Sequence, residues 1–325
     1  MELNKIYCEN CLDTMARMPD NFLDLTVTSP PYDNLRTYNG YEFDFESIAR
    51  ELYSVTKFGG VVVWVVGDAT FKGCETGTSF KQALYFKEIG FNLHDTMIYR
   101  KANPVPLTHN RYEQEFEYMF IFSKGKPKTF NPIKENCKTS GLYTHRGKAG
   151  RVKENSLRAR DEITKTKTDK IKYNIWTYPV GEKTDNGSHP ATFPEKLAED
   201  HILSWSNEGD IVYDPFMGSG TTAKMAMLNK RNYIGSEISE EYVKIAEKRL
   251  SSSIASLQEI IKEIKMENQI IFEIDCEKIN EPKEIIRISK DGFFYKGERV
   301  DDVQNIYERF NEWLKLAERK TPFIK

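Results

Sequence analysis

The stretch GGVVVWVVGD, residues 59–68, most narrowly limits what this chain can fold into. Its central six residues are all apolar, and glycines close it on both sides. A strand with one wet face alternates apolar and polar residues. An unbroken apolar run of this length reads as a strand buried on both faces, which needs helices above and below it. The neighbouring sequence supplies them. NKIYCE reads as a strand, CLDTMARMPD as a short helix closed by Pro19, LDLTVT as a strand, and FDFESIARELYSVTKF as a helix stopped by Gly59-Gly60. After the apolar strand come a helix near 79–89 and two strands, LHDTMIYRK and FEYMFIFSK. Alternation of this kind predicts an α/β fold with helices covering a sheet.

Residues 124–173 break the pattern. They are polar, show little periodicity, and hold fifteen Lys or Arg against five Asp or Glu, although the whole chain carries a net charge of -2. A solvated loop is one reading. At this length a functional insertion is the other, and its charge suits a polyanion. Patterning returns near Ile175: a helix in HPATFPEKLAEDHILSWS, a strand in GDIVYDPF, a helix in SGTTAKMAMLNKR, a strand in YIGSEIS and a helix in EEYVKIAEKRL. The tail after Ser251 changes style. SIASLQEIIKEIKM is an amphipathic helix, QIIFEID, EIIRIS and GFFYKG are short strands, and a last helix buries Val303, Ile306, Phe310, Trp313 and Leu314. The expected division is 1–123, 124–173, 174–250 and a small αβ appendage, 251–325.

With 325 residues, 39% of them hydrophobic, the chain suffices for one large domain or two modest ones. No apolar run reaches the length of a membrane span, and MELNKIYCEN is no signal peptide, so a cytoplasmic location is expected. Of the five cysteines only Cys8 and Cys11 form a C-x-x-C, and no second pair completes a zinc set. They read as reduced and structural, and no metal is expected.

Two stretches carry chemistry. In LTVTSPPYDN, a short buried strand runs into Pro30 and Pro31, which cannot donate to a sheet ladder and which fix the turn. The Pro30 carbonyl stays free to accept, Ser29 adds a hydroxyl, and Tyr32 adds a flat π face. Two acceptors and a stacking platform on a rigid strand end suit a planar group bearing an amine. Alone, the tetrapeptide reads equally well as a strand followed by a proline turn. In DIVYDPFMGSGTTAKMAM, a strand ends at Asp214, and Gly218 and Gly220 allow a tight turn into a helix whose N-terminus suits an anion. Glu237 ends the next strand, 23 residues on, where an acid accepts from ribose hydroxyls. A P-loop is disfavoured, because Thr221-Thr222 follow Gly220 and Lys224 comes too late; a dinucleotide fingerprint is incomplete, with Ala223 at its third glycine.

Together these residues resemble a family. DPFMGSGTT resembles the S-adenosylmethionine-binding motif of DNA amino-methyltransferases, and TSPPY resembles their catalytic tetrapeptide. The catalytic motif precedes the cofactor motif with a basic insertion between, which is similar to the circularly permuted β class. HPATFPEKL, GGVVVWVVGD, FNLHDTMIYRKANP and RYEQEFEYMFIFSK resemble its other motifs, so the likeness covers residues 3–250 less the insertion. It implies a Rossmann-like, doubly wound α/β sheet, S-adenosylmethionine as cofactor, and double-stranded DNA as partner; it leaves a cognate restriction endonuclease open. It implies Ser29, Pro30, Pro31 and Tyr32 as catalytic residues. Asp214, Pro215, Phe216, Gly218, Ser219, Gly220, Thr221 and Glu237 become cofactor residues. The family commonly has an acid where Asn10 stands in YCENCLDTM; Asn10 keeps an amide oxygen for the adenine.

Physics and resemblance then meet on a flipped-out base whose amine donates to Ser29 and the Pro30 carbonyl while Tyr32 stacks on the ring. C5 methylation is disfavoured, since no cysteine follows a proline. Ser-Pro-Pro-Tyr leans toward cytosine N4 within the resembling family, with adenine N6 the alternative. Arg36, Lys101 and Arg111 are candidates for DNA near the site, and each reads equally well as a solvated or ion-paired surface cation. His109 could face DNA or solvent, and His189 before Pro190 reads as a turn residue. In the insertion Arg146, Arg151, Arg158 and Arg160 are the candidate base readers, unranked, in what the resemblance makes the target-recognition region. A small-molecule or RNA methyltransferase would share the cofactor site with less use for a basic insertion. A non-catalytic DNA-binding module would not need the glycine turn and Glu237.

Overall fold

The computed structural model describes residues 1–31, 43–104, 112–137, 143–151, 157–165, 167–180, 194–266, 269–273, 284–289, 292–295 and 298–300. The first half runs β1 (Lys5–Cys8), α1 (Cys11–Met15), β2 (Leu23–Thr28), α2 (Phe45–Val55), β3 (Thr56–Val66), β4 (Thr70–Phe71), β5 (Cys74–Glu75), α3 (Thr78–Glu88), β6 (Asn92–Lys101) and β7 (Phe116–Ser123). The basic segment contributes β8 (Lys134–Asn136), β9 (Tyr143–Arg151), β10 (Leu157–Lys165) and β11 (Asp169–Ile171). There follow β12 (Ile175–Tyr178), α4 (Glu195–Trp205), β13 (Ile211–Asp214), α5 (Thr221–Leu228), β14 (Asn232–Glu237) and α6 (Glu240–Met266). Last come β15 (Gln269–Glu273), β16 (Glu284–Ser289), β17 (Gly292–Tyr295) and β18 (Glu298–Val300).

Eight strands form the central sheet in the order β1-β14-β13-β2-β3-β7-β6-β12. Every neighbouring pair is parallel except those made by β7, which runs against both β3 and β6. The apolar run behaves as its composition requires. Val61, Val63 and Val65 join one core with Leu25, Val27, Met119, Ile121 and residues of α4, α5 and α6. Val62, Trp64 and Val66 join the other with residues of α1, α2 and α3. All six are at most 2% exposed. Trp64, fully buried, satisfies its indole N–H by donating to Gln82 Oε1 at 2.8 Å. Truncating it to Ala would cost about 3–5 kcal/mol.

Three sequence expectations shift. The helix expected to reach Phe58 ends at Val55, and β3 starts at Thr56. Thr56 and Val55 are β-branched, the Thr56 hydroxyl donates to Leu52 O at 2.5 Å, and Gly59 adopts φ +81°. The two helices expected on either side of Ser251 are one 27-residue helix, since the serines between contain no glycine or proline to stop it. The basic segment is not wholly irregular: β8 pairs antiparallel with β11, and β9 with β10 over nine residue pairs. Its polar residues carry no apolar alternation, so a backbone ladder is invisible to that signal.

The chain divides into two compact units, Met1–Leu250 and Ser251–Lys325. Within the second, β15 to β18 form a four-stranded antiparallel sheet in chain order. The expected last helix over Val303–Leu314 lies outside the described residues. No helix among the described residues is long and apolar enough to cross a membrane.

Candidate active site

The topology fixes where a ligand can enter. From β2 the chain passes through α2 to β3, and from β13 it passes through α5 to β14 on the far side. The α2 and α5 helices cover opposite faces of the sheet. The strand order therefore switches between β2 and β13, the place beyond whose carboxyl ends open α/β sheets bind ligands. Residues 29–31 follow β2 at this edge, and 215–220 follow β13.

The turn after β13 is built to approach a ligand closely. Gly218 and Gly220 have φ of +51° and +82°. A Cβ on Gly220 would come within 2.7 Å of Ala246 Cβ and 3.1 Å of its Cα, so that position admits only glycine. Gly220 caps α5 without any side-chain bond, leaving the first N–H groups of the helix to a ligand. Pro215 and Ser219 are buried, and Phe216 is half-buried against Phe43 and Trp64. Glu237 is half-buried: Oε2 accepts from Gly218 N at 2.8 Å and Oε1 from Ser239 N at 2.9 Å. Backbone N–H groups of Gly218, Ile238 and Ser239 still leave the carboxylate lone-pair capacity for a ribose hydroxyl. Burial pushes the Glu237 carboxyl above its usual range. Cys8 pairs with Glu237 across β1 and β14, which brings Asn10 to the same sheet edge.

Two residues expected at the cofactor also carry local bonds. The Asp214 carboxyl is buried, and its Oδ1 accepts from Thr28 Oγ1 at 2.6 Å and Phe216 N at 3.0 Å. These bonds tie it to the end of β2 and to the start of the glycine turn. Burial pushes it up to about 6, against the pull of the Thr28 hydroxyl, the Phe216 N–H and the Thr222 hydroxyl. Asn10 spends its amide oxygen capping α1, accepting from Leu12 N at 2.9 Å. That oxygen was the expected adenine acceptor; an Asn before a helix has a local donor competing for it. Ser219 and Thr221 are likewise engaged: Arg249 Nη1 lies 2.6 Å from Ser219 O, 2.9 Å from Ser219 Oγ and 3.3 Å from Thr221 Oγ1. Its Nη2 donates to Glu195, which also pairs with Lys224. Sequence reasoning missed Thr28, Glu195 and Arg249. Thr28 stands beside the motif but carries only a strand signal; Glu195 and Arg249 act from distant helices with no local signal.

At the end of β2, Ser29 and Pro31 are half-buried and Pro30 is buried. Tyr32, Arg36, His109, Arg111 and His189 lie outside the described residues. Lys101, at the end of β6, is no free cation: its Nζ is 2.9 Å from Glu117 Oε1. Arg146 and Arg151 belong to β9, and Arg158 and Arg160 to β10. The Cys8-Cys11 pair divides, with Cys8 exposed and burial pushing the Cys11 thiol up to about 12, so it stays protonated and inert. No cluster of metal-ligating side chains occurs among the described residues.

A glycine turn, a helix N-terminus and an open acid on the next strand form a donor and acceptor set that fits a nucleoside with an anionic tail. The family model for DNA methylases of the N6/N4 amino-methyltransferase type matches residues 23–248. The chain belongs to that family. A relative, the orphan methyltransferase M.BamHII of Bacillus amyloliquefaciens, is 60% identical over 242 residues, covering 72% of this chain and 91% of the relative. The type II methyltransferase M.BglII of Bacillus subtilis is 28% identical, covering 77% and 69%. Among solved structures, the cytosine-N4-specific PvuII DNA methyltransferase superposes with a TM-score of 0.58 at 21% identity, over 75% of this chain and 84% of that one. The M1.HpyAVI complex with S-adenosylmethionine gives 0.51 at 25%, over 76% and 98%. The DNA methylase described here is thus a site-specific, S-adenosylmethionine-dependent amino-methyltransferase on a Rossmann-like sheet.

Proposed function

We propose that this methylase acts on N4 of a cytosine flipped out of duplex DNA, with Ser29, Pro30, Pro31 and Tyr32 as its catalytic residues. What carries the reading is the position of Ser29-Pro30-Pro31 at the end of β2, directly beside the cofactor strand β13. The Pro30 carbonyl and the Ser29 hydroxyl accept the two amine hydrogens. An aryl amine shares its lone pair with the ring. Hydrogen bonds that favour tetrahedral nitrogen localise that pair, and it then attacks the sulfonium methyl in line. The N–C bond forms as the S–C bond breaks, and the surplus amine proton leaves to water. Bound S-adenosylmethionine supplies the activated methyl, and proximity and orientation supply much of the acceleration. Its ribose belongs at Glu237 and its carboxylate near the N-terminus of α5, with Asn10 at the adenine end.

The catalytic strand precedes the cofactor strand in sequence, which supports the permuted order. Residues 1–123 and 174–250 then form the two halves of one catalytic domain, 124–173 the target-recognition segment and 251–325 an appendage. In the β9–β10 ribbon, successive residues alternate faces and paired residues share one. Arg146, Lys148, Arg158 and Arg160 therefore occupy one face and Arg151 the other. A two-stranded ribbon fits the major groove, and Arg reads guanine there. We rank Arg146, Arg158 and Arg160 as base readers above Arg151.

Methyl label traced into duplex DNA, followed by digestion to nucleosides, tests the target base. N4-methylcytosine is expected; N6-methyladenine would replace cytosine with the other amine of the same reaction. Replacing residues 140–165 by a short Gly-Ser linker tests recognition. Cofactor binding survives, specific DNA binding is lost and its salt slope flattens. Unchanged methylation of the same sites would move recognition elsewhere, with the appendage as next suspect.

A further inference from the structure

The backbone ladder between β2 and β13 is short. It pairs only Val212 with Leu25 and Tyr213 with Thr26, and stops before either strand reaches its carboxyl end. Two buried threonine hydroxyls continue the connection. Thr28 Oγ1 donates to Asp214 Oδ1 at 2.6 Å, and Thr222 Oγ1, on α5, donates to Val27 O at 3.2 Å. Thr28 immediately precedes Ser29. The oxygen it meets also receives the Phe216 N–H, which opens the glycine turn. One carboxyl oxygen thus touches the last residue before the tetrapeptide and the first turn of the cofactor loop.

We propose that Thr28 and Asp214 are positioning residues, a latch that sets the target amine's acceptors at the correct distance from the methyl donor. The inference rests on the catalytic reading of Ser29-Pro30 above. In-line transfer tolerates little misplacement: a shift of about 1 Å costs on the order of 100-fold in rate. The Thr28–Asp214 bond joins the two strand ends where these loops begin, and both partners are within 5% of full burial. Thr26, two residues earlier on the same face of β2, offers an internal contrast. Its hydroxyl is equally buried and finds no partner among the described residues. A threonine in this strand thus gains nothing from its hydroxyl unless it meets an acceptor.

The latch also has a pH dependence. It needs a carboxylate at Asp214, which burial pushes up to about 6. The groups facing it are the acid Glu237 on β14, which raises it further, and the neutral Cys11 thiol and Tyr213 phenol. Protonation below that value weakens the acceptor, and loss of the Thr28 donor moves the acid limb of the rate upward.

The test is Thr28→Val, which keeps shape and removes the hydroxyl, with Thr28→Ser and Thr26→Val beside it. In Thr28→Val, S-adenosylmethionine affinity by calorimetry stays within roughly threefold, while the single-turnover rate on duplex DNA falls at least about tenfold and its acid limb moves to higher pH. Thr28→Ser restores both, and Thr26→Val changes neither. In a Ser29→Ala background the Thr28→Val loss shrinks, because the latch acts through Ser29. A parent rate in Thr28→Val, equal losses of affinity and rate, or a fully additive double variant would each overturn the latch. A parent rate in Ser29→Ala alone would instead sink the catalytic reading.

Discussion

Carboxylates at the two ends of the central sheet are held in different ways. Around β6, β7 and β12 the acids are neutralised by cations: Lys101 on Glu117, Arg100 on Glu115, and both Lys172 and Lys196 on Asp200. Tyr178 adds its hydroxyl to Asp200 at 2.5 Å. At the switch point, Asp214 and Glu237 carry no ion pair among the described residues. Hydroxyls and backbone N–H groups hold them, and burial raises both carboxyls. Charges at the outer strands are spent on one another, which leaves them little to offer a ligand. The switch-point acids are held without a countercharge, Asp214 by the Thr28 hydroxyl and the Phe216 N–H, Glu237 by the Gly218 and Ser239 N–H groups. Fold and function are therefore separated along one sheet, with ion pairs where the sheet needs closing and neutral donors where it must bind.

The contrast breaks hardest at the turn. Gly220→Ala forces a left-handed side chain against the backbone of Ala246, and the loss of stability should be about 2–4 kcal/mol, read by urea denaturation, with cofactor binding abolished. A variant that binds normally would mean the turn is not the cradle. Next comes Glu237→Ala. It removes the ribose acceptor and should weaken S-adenosylmethionine by about 1–3 kcal/mol in calorimetry. An unchanged affinity would put the ribose elsewhere.

Asp214→Asn sharpens the electrostatic side. A buried acid whose pKa is raised from 3.8 to about 6 favours the folded state when protonated. Its contribution is fully present below pH 4 and is lost as pH rises through 6. The Asn variant should lose that slope between pH 4 and 6 in denaturation series, while its amide oxygen still accepts from Thr28. The smallest effect belongs to the outer edge. Lys101→Ala removes one partner of a partly exposed pair and should cost no more than about 1 kcal/mol. The salt slope of DNA binding should not move. A slope reduced by one phosphate contact would return Lys101 to the interface.

Much of this was legible in the sequence, for identifiable reasons. The buried strand over Val61–Val66 showed itself through composition alone, and the glycine turn through φ demands that few residues meet. Asp214 was visible as a residue, but its bond to Thr28 was not, since the two lie 186 positions apart. The N-cap bond of Asn10 was hidden for a local reason: side chains that suit a ligand also suit a helix N-cap. Arg249 and Glu195, which brace Ser219 and Thr221 from two different helices, have no spacing that a linear reading detects. The β9–β10 ribbon escaped because its pairing lies in the backbone, and polar side chains on both faces hide the period of two.

The central claim is that one site, beyond the carboxyl ends of β2 and β13, divides binding from chemistry between the two strand ends. Ser29→Ala tests it most directly, with S-adenosylmethionine titrated calorimetrically and single-turnover methylation of duplex DNA followed on the same preparation. Cofactor affinity should stay at the parent value while the methylation rate falls about 100-fold or more, the loss expected when a donor–acceptor contact to the reacting group is removed. A Ser29→Ala protein that methylated DNA at the parent rate, or that lost its cofactor instead, would contradict the account.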